Sequence, residues 1–183
     1  MLGSTPGGRT VLEGCGSTGK EAMQTLGKIM AEGPSDLRVR VLHSLVLFFS
    51  LPESSEGALG MKSEDWLHLL HGNPLSVVMS TTKQPFADLR TSGLKFLLAI
   101  SPHEWGQREL NSFPGFLEYL LDRRTEPDKA GKELKYDIVH CLVSSGTAEA
   151  VFGSVSYLQL RRYDREGPFF FTGEQAIALE GST

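Results

Sequence analysis

The chain has 183 residues, of which 40% are hydrophobic and 22% charged, values that fit one folded domain and exclude a disordered or collagen-like chain. Its formal net charge of −4 leaves no global basic field for nucleic acid, though a local basic patch stays open. The two cysteines, Cys15 and Cys141, sit far apart in no CxxC or CxxH grouping, which favours reduced thiols over a disulfide framework.

In chain order, the first feature is "GCGSTGKE". From Gly14 to Lys20 it spells G-x-x-x-x-G-K, but Glu21 stands where a phosphate-binding loop needs Ser or Thr. No buried strand precedes it, so nucleotide binding is not expected. An elbow between a short helix, "GGRTVLEGC", and a medium one, "TGKEAMQTLGKIM", suits it better, with Thr18 as N-cap and Glu21 completing a capping box.

"SDLRVRVLHSLVLFFS" then predicts a long helix from Ser35, with Asp36 in its first turn. Leu37, Val41, Leu45 and Phe48 form one apolar stripe, and Leu42, Val46 and Phe49 widen it, so this helix is expected to be covered on several sides. The run is too short and too interrupted to span a bilayer. "PESSEGALGMKSEDWLHLLHG" follows, with a polar loop expected in place of a short helix. Within it, "HLLH" puts His68 and His71 at i, i+3, able to share a metal only with a third ligand; solvated helix residues are the plainer reading.

"PFADLRTSGLKFLLAIS" predicts a second long helix, entered at Pro85 and stopped before Pro102. "HEWGQ" begins like a zinc-protease helix but carries Gln107 where the second His belongs, so it reads as a helix start. "FPGFLEYLLDR" is medium, and "KELKYDIVHCLVSSG" is a third long helix with Cys141 on its apolar stripe. "AEAVFG" and "SVSYLQLRRYD" repeat the short and medium pattern. In "PFFFTG", Phe169 to Phe171 are expected to lie back over the last helix, with disorder from about Thr172.

The long helices superimpose: Asp36-Leu37-Arg38, Asp88-Leu89-Arg90 and Glu133-Leu134-Lys135 recur at offsets of 52 and 45 residues, close to armadillo and HEAT spacing. The expected fold is therefore all-α, an armadillo/HEAT-like right-handed α-solenoid. Residues 1–166 would hold three to four repeats, the first incomplete, and residues 167–183 a partly disordered tail. Met1 to Gly8 does not resemble a capping helix, so a piece of a longer solenoid is expected.

Arg38, Arg90 and Lys135 share one repeat position, with Arg40, Lys95, Lys132 and His140 on the same helices. On a concave face, Arg38, Arg90, Lys95 and Lys135 would make a basic groove for an acidic protein surface. Alternatively, these cations pair with Asp36, Asp88, Glu133 and Asp137 within the fold. No nucleophile elbow or metal spacing appears, so no enzyme activity and no cofactor are expected, nor is a nucleic-acid or membrane partner. A monomer in the cytoplasm, and in the nucleus as well, is the expectation.

From "QPFADLRTSGLK" to "DREGPFFF", and most specifically in "NSFPGFLEYLLDR", "DKAGKELKYDIV" and "YLQLRRYDREGP", the chain resembles the C-terminal third of the 26S proteasome non-ATPase regulatory subunit five family, the proteasome base assembly chaperones. The stretch from "LGSTPGGRTVLEGCG" through "SDLRVRVLHSLVLFF" matches more weakly. The resemblance implies an armadillo/HEAT-like assembly chaperone that binds the C-terminal domain of one ATPase subunit of the regulatory-particle base. It would hold an assembly intermediate, leave when the core particle docks, and act without catalysis. No family motif transfers contact residues one by one. The alternative is a truncated or generic armadillo-repeat adaptor that has lost the chaperone role.

Overall fold

A computed structural model describes Val11 and residues 14–50 and 63–170. Its ten longer helices are α1 (Ser17–Glu32), α2 (Ser35–Phe49), α3 (Ser63–Leu70), α4 (Pro74–Thr82), α5 (Ala87–Ile100), α6 (Glu104–Ser112), α7 (Phe116–Leu121), α8 (Lys129–Ser144), α9 (Ala148–Phe152) and α10 (Ser154–Glu166). Among the described residues there is no strand, and no helix is long and apolar enough to cross a membrane.

The long helices α2, α5 and α8 lie side by side, with α5 in the middle. Helix α1 packs on α2 and α4 on α5, so each pair forms a two-helix layer that needs a neighbour to bury its remaining apolar face. This is an α-solenoid, as the repeat spacing predicts.

One continuous apolar cluster runs through the layers. Of the stripe foreseen on α2, Val41, Leu42, Leu45, Phe48 and Phe49 are buried, whereas Leu37 at the first turn is 40% exposed. Phe49 binds the units together: its ring lies 5.6 Å from Phe96 on α5 and 5.9 Å from Trp105 on α6, while Phe48 meets Trp66 of α3 at 5.9 Å. Each fully buried side chain of this size contributes about 1.5–3 kcal/mol relative to exposure.

Two glycines let backbones touch. An added Cβ on Gly27 would fall 1.5 Å from the carbonyl oxygen of Leu70, where α1 crosses the end of α3. One on Gly106 would fall 2.1 Å from the carbonyl of Ile100, where α6 turns back on α5.

The polar loop expected in place of a short helix falls before residue 63, in the stretch 51–62 that lies outside the described residues; α3 follows at residues 63–70 and carries His68. Helix α4 was not foreseen, although Leu75, Val78 and Met79 form a short buried apolar stripe on it; Thr81 and Thr82 are buried beside them and donate to Val77 O and Met79 O. The signal that starts α4 is local: Pro74 in the first turn and Asn73 Oδ1 accepting from Ser76 N at 3.1 Å. Asn73→Ala is expected to cost about 1 kcal/mol, read as a lower urea midpoint at unchanged slope.

At the start of α1, Gly16 at φ 55° is the N-cap, and no side chain caps the helix. The Thr18–Glu21 capping box is not formed, because α1 begins at Ser17, two residues earlier than that box requires. Finally, α10 packs along α8 and contacts α7, beside the last long helix. Its end is closed by Gly167 at φ 81°, beyond which Phe169 and Phe170 are 46% and 38% exposed. Phe170 does fold back far enough to place its ring 5.5 Å from the Arg123 guanidinium; Phe171 and the rest of the tail lie outside the described residues.

Candidate protein-binding face

The cations expected to line a groove divide sharply. Lys135 is 1% exposed, and its Nζ donates to Tyr119 O, to Asp122 O at 2.6 Å and to Thr125 Oγ1 at 2.6 Å. Burial pushes its pKa down to about 8, against the pull of the Glu126 and Asp122 carboxylates. Arg90, with 11% of its side chain exposed, donates to Gln84 O at 3.2 Å, Pro85 O at 2.7 Å and Asp128 Oδ2 at 2.6 Å. Arg38, half-buried, donates to Met30 O at 3.0 Å and to Thr81 Oγ1 at 2.8 Å.

Arg90 ties the α4–α5 connection to Asp128. Arg38 and Lys135 share a different physical role: each leaves its long helix and reaches carbonyls at the end of the helix before it, where unsatisfied oxygens and the negative end of the helix dipole attract a cation. Arg123 does the same for α10, donating to Gly167 O at 3.1 Å and stacking 3.8 Å from the Tyr163 ring. Arg90 and Lys135 therefore offer no charge to a groove surface; their charge is spent inside the repeat. The expected partners were also wrong in detail, since Arg90 pairs with Asp128 and, at 3.6 Å, with Glu126.

Around Lys135 lies a buried polar centre. Glu126 accepts from Tyr119 Oη at 2.7 Å, and burial raises its pKa despite Tyr119, Lys135 and Arg90. Asp128 caps α8 through Gly131 N at 2.8 Å; that bond and Arg90 hold its carboxyl below the usual range. Gln107 is buried too. Its amide donates to Ser101 O and Ser145 Oγ and accepts from Thr147 Oγ1, which gives the "HEWGQ" glutamine a bridging role between α6 and the α8–α9 turn.

What the long helices leave outside is another set. Arg40, His43, Ser44 and Leu47 share the exposed face of α2, at helical spacing, and Leu47 is 44% exposed. Lys95, the fourth candidate, is exposed on α5, and neither it nor Arg40 has a carboxylate partner among the described residues. Beside Lys95 a groove of about 430 Å³ opens, lined by Val46, Ser50, Leu98, Ala99, Pro102 and His103. Along α8 the exposed charges are mixed, with Glu133 paired to Lys129 at 3.5 Å and Asp137 one turn on. The surface between α2 and α5 is a shallow, mostly apolar groove with the Lys95 cation on its wall. Sequence reasoning missed this groove because its walls come from two helices some fifty residues apart.

The nucleotide-loop spelling also resolves into structure: Gly14 to Gly16 form the turn into α1, Gly19 is buried on that helix and Lys20 is exposed.

The fold defines a helical-repeat protein of the α-solenoid kind. A sequence model described as "Proteasome non-ATPase 26S subunit" matches residues 1–183, and the chain belongs to that family. It is 34% identical over 182 residues to the 26S proteasome non-ATPase regulatory subunit 5 of Bos taurus, covering 100% of this chain and 36% of that protein. The human protein of the same name is 34% identical over 183 residues, with the same coverage. The Drosophila melanogaster one is 24% identical over 181 residues, covering 98% of this chain and 35% of its own length. The chain thus spans little more than a third of these relatives. No solved structure matches it.

Proposed function

We propose that the chain is a non-catalytic protein-binding solenoid that serves assembly of the proteasome regulatory particle by engaging the C-terminal domain of a base ATPase subunit. The observation that carries this reading is the family match along the whole chain, to relatives named as non-ATPase regulatory subunits. The α2–α5 groove supports it, because it joins the Lys95 cation to apolar walls from Val46, Leu98, Ala99 and Pro102, with the exposed Leu47 on the same helix as Val46, suited to a partner helix with acidic and apolar side chains. Binding by this surface would be competitive and reversible, in the cytoplasm and the nucleus.

The test is a binding assay of the 183-residue chain against each isolated ATPase C-terminal domain. Retention of one domain, weakened about tenfold or more by Lys95→Glu or Leu47→Asp, is the expected result; tenfold corresponds to about 1.4 kcal/mol. If no domain is retained, the chaperone reading falls and a generic adaptor remains. Retention unaffected by either substitution would move the contact to another face.

A further inference from the structure

The "HLLH" histidines do not act together. His71 Nδ1 accepts from Asn73 N at 3.0 Å in the turn after α3, while His68 faces the following repeat. There, 41 residues on, Glu109 of α6 brings its Oε1 to 3.1 Å from His68 Nε2. Glu64, one helical turn before His68, completes a group whose ligand atoms all lie within 4.8 Å of one another.

We propose that Glu64, His68 and Glu109 form a binding site for a divalent transition-metal ion, zinc by ligand chemistry, that clasps α3 to α6 across a repeat junction.

Three features support the site. Two carboxylates converge there with one imidazole, and no lysine or arginine neutralises them: Glu64 has no partner among the described residues, and Arg108 beside Glu109 is engaged with Glu104 at 2.7 Å. Two carboxylates facing one imidazole nitrogen are drawn together by a dication more effectively than by water. Second, zinc takes nitrogen and oxygen ligands at about 2.0–2.2 Å, which places tetrahedral donors about 3.4 Å apart. Small side-chain rotations close the present spacing to that value. Third, the imidazole selects zinc, cobalt or nickel over magnesium and calcium, which prefer all-oxygen sets. His68 is half exposed, so water can complete the coordination, as a bracing site allows.

The proposal does not depend on the proteasome reading, and its test does not involve a protein partner. Zinc chloride is titrated into the chelator-washed full chain, followed by calorimetry and thermal denaturation. One ion per chain is expected, with a Tm rise of about 5–10 °C at a hundredfold excess over Kd, reversed by EDTA and not produced by magnesium. His68→Ala, Glu109→Gln and Glu64→Gln should each weaken binding at least tenfold, and His71→Ala should not. Cobalt should give a visible d–d absorption band that His68→Ala removes. Because Glu64 makes no hydrogen bond or ion pair among the described residues, Glu64→Gln should change the metal-free Tm by no more than about 2 °C, the loss of one first-turn charge, and so reports binding. Zinc affinity unchanged in His68→Ala and Glu64→Gln, or lost equally in His71→Ala, would overturn the site.

Discussion

Lys135→Ala is expected to lower the stability of the chain by about 4 kcal/mol, a large share of the 5–15 kcal/mol typical of a domain. Two losses add. The buried four-carbon stem leaves a cavity between α7 and α8, and the ammonium leaves Tyr119 O and Thr125 Oγ1 without their donor. Lys135→Met separates them: it keeps the stem and removes a charge that burial disfavours, so about 1–2 kcal/mol is expected. The charge has its own signature. The unfolded lysine holds its proton up to about 10.5, the folded one only to about 8, so between these values the unfolded state binds more protons. Stability from this group must therefore rise with pH, by about 2 kcal/mol from pH 7 to 9.5, and the rise should vanish in Lys135→Met. Urea titrations of both proteins at the two pH values measure it. A Lys135→Ala protein within 1 kcal/mol of wild type would instead mark Lys135 as a surface residue.

Gly27→Ala should be comparably damaging although alanine is the better helix former by about 1 kcal/mol. The new methyl would lie 1.5 Å from Leu70 O and 2.4 Å from Leu70 C, backbone atoms that cannot rotate aside. Helix α1 would have to move off α3, separating Met23 and Met30 from Trp66 and Leu67 in the shared core. A net loss of about 3 kcal/mol is expected. Gly72→Ala is the control, since an added Cβ there meets nothing within 4 Å, and it should leave the urea midpoint unchanged. A neutral Gly27→Ala would contradict the α1–α3 crossing.

Much of the fold was legible in advance. Helices α2, α5 and α8 each carry an apolar period of 3.6 bounded by Pro, Gly or Asp, and their register exposed the repeat. Helix α4 was not legible in that way. Its buried apolar stripe, Leu75, Val78 and Met79, spans little more than one turn before Thr81 and Thr82, whose hydroxyls are satisfied by carbonyls of the same helix, so the pattern is too short to stand out. The capping box at Thr18 was mistaken because the turn before α1 is taken by Gly16 in the left-handed region, which needs no side-chain cap.

The candidate site was less legible. The cations at Arg38, Arg90 and Lys135 announce a shared position, yet the same three letters suit a groove or an internal clamp equally well. The choice rests on distance: Arg90 meets Asp128, 38 residues away, and Lys135 meets Tyr119, 16 residues before it. Likewise "HLLH" suggested a pair of histidines, whereas packing sets His68 with Glu64 and with Glu109 of α6 and leaves His71 in the turn after α3.

From the sequence alone follow the all-helical class, the repeat and its period, and membership in a helical-repeat family, because helix formation and amphipathic spacing are local properties. Tertiary structure alone decided which cations are buried, where α10 lies, which surface stays open beside Lys95 and which carboxylate reaches His68. A charge is kept in water or taken inside according to the carbonyls and carboxylates that packing brings within about 3 Å, and those partners come from other helices.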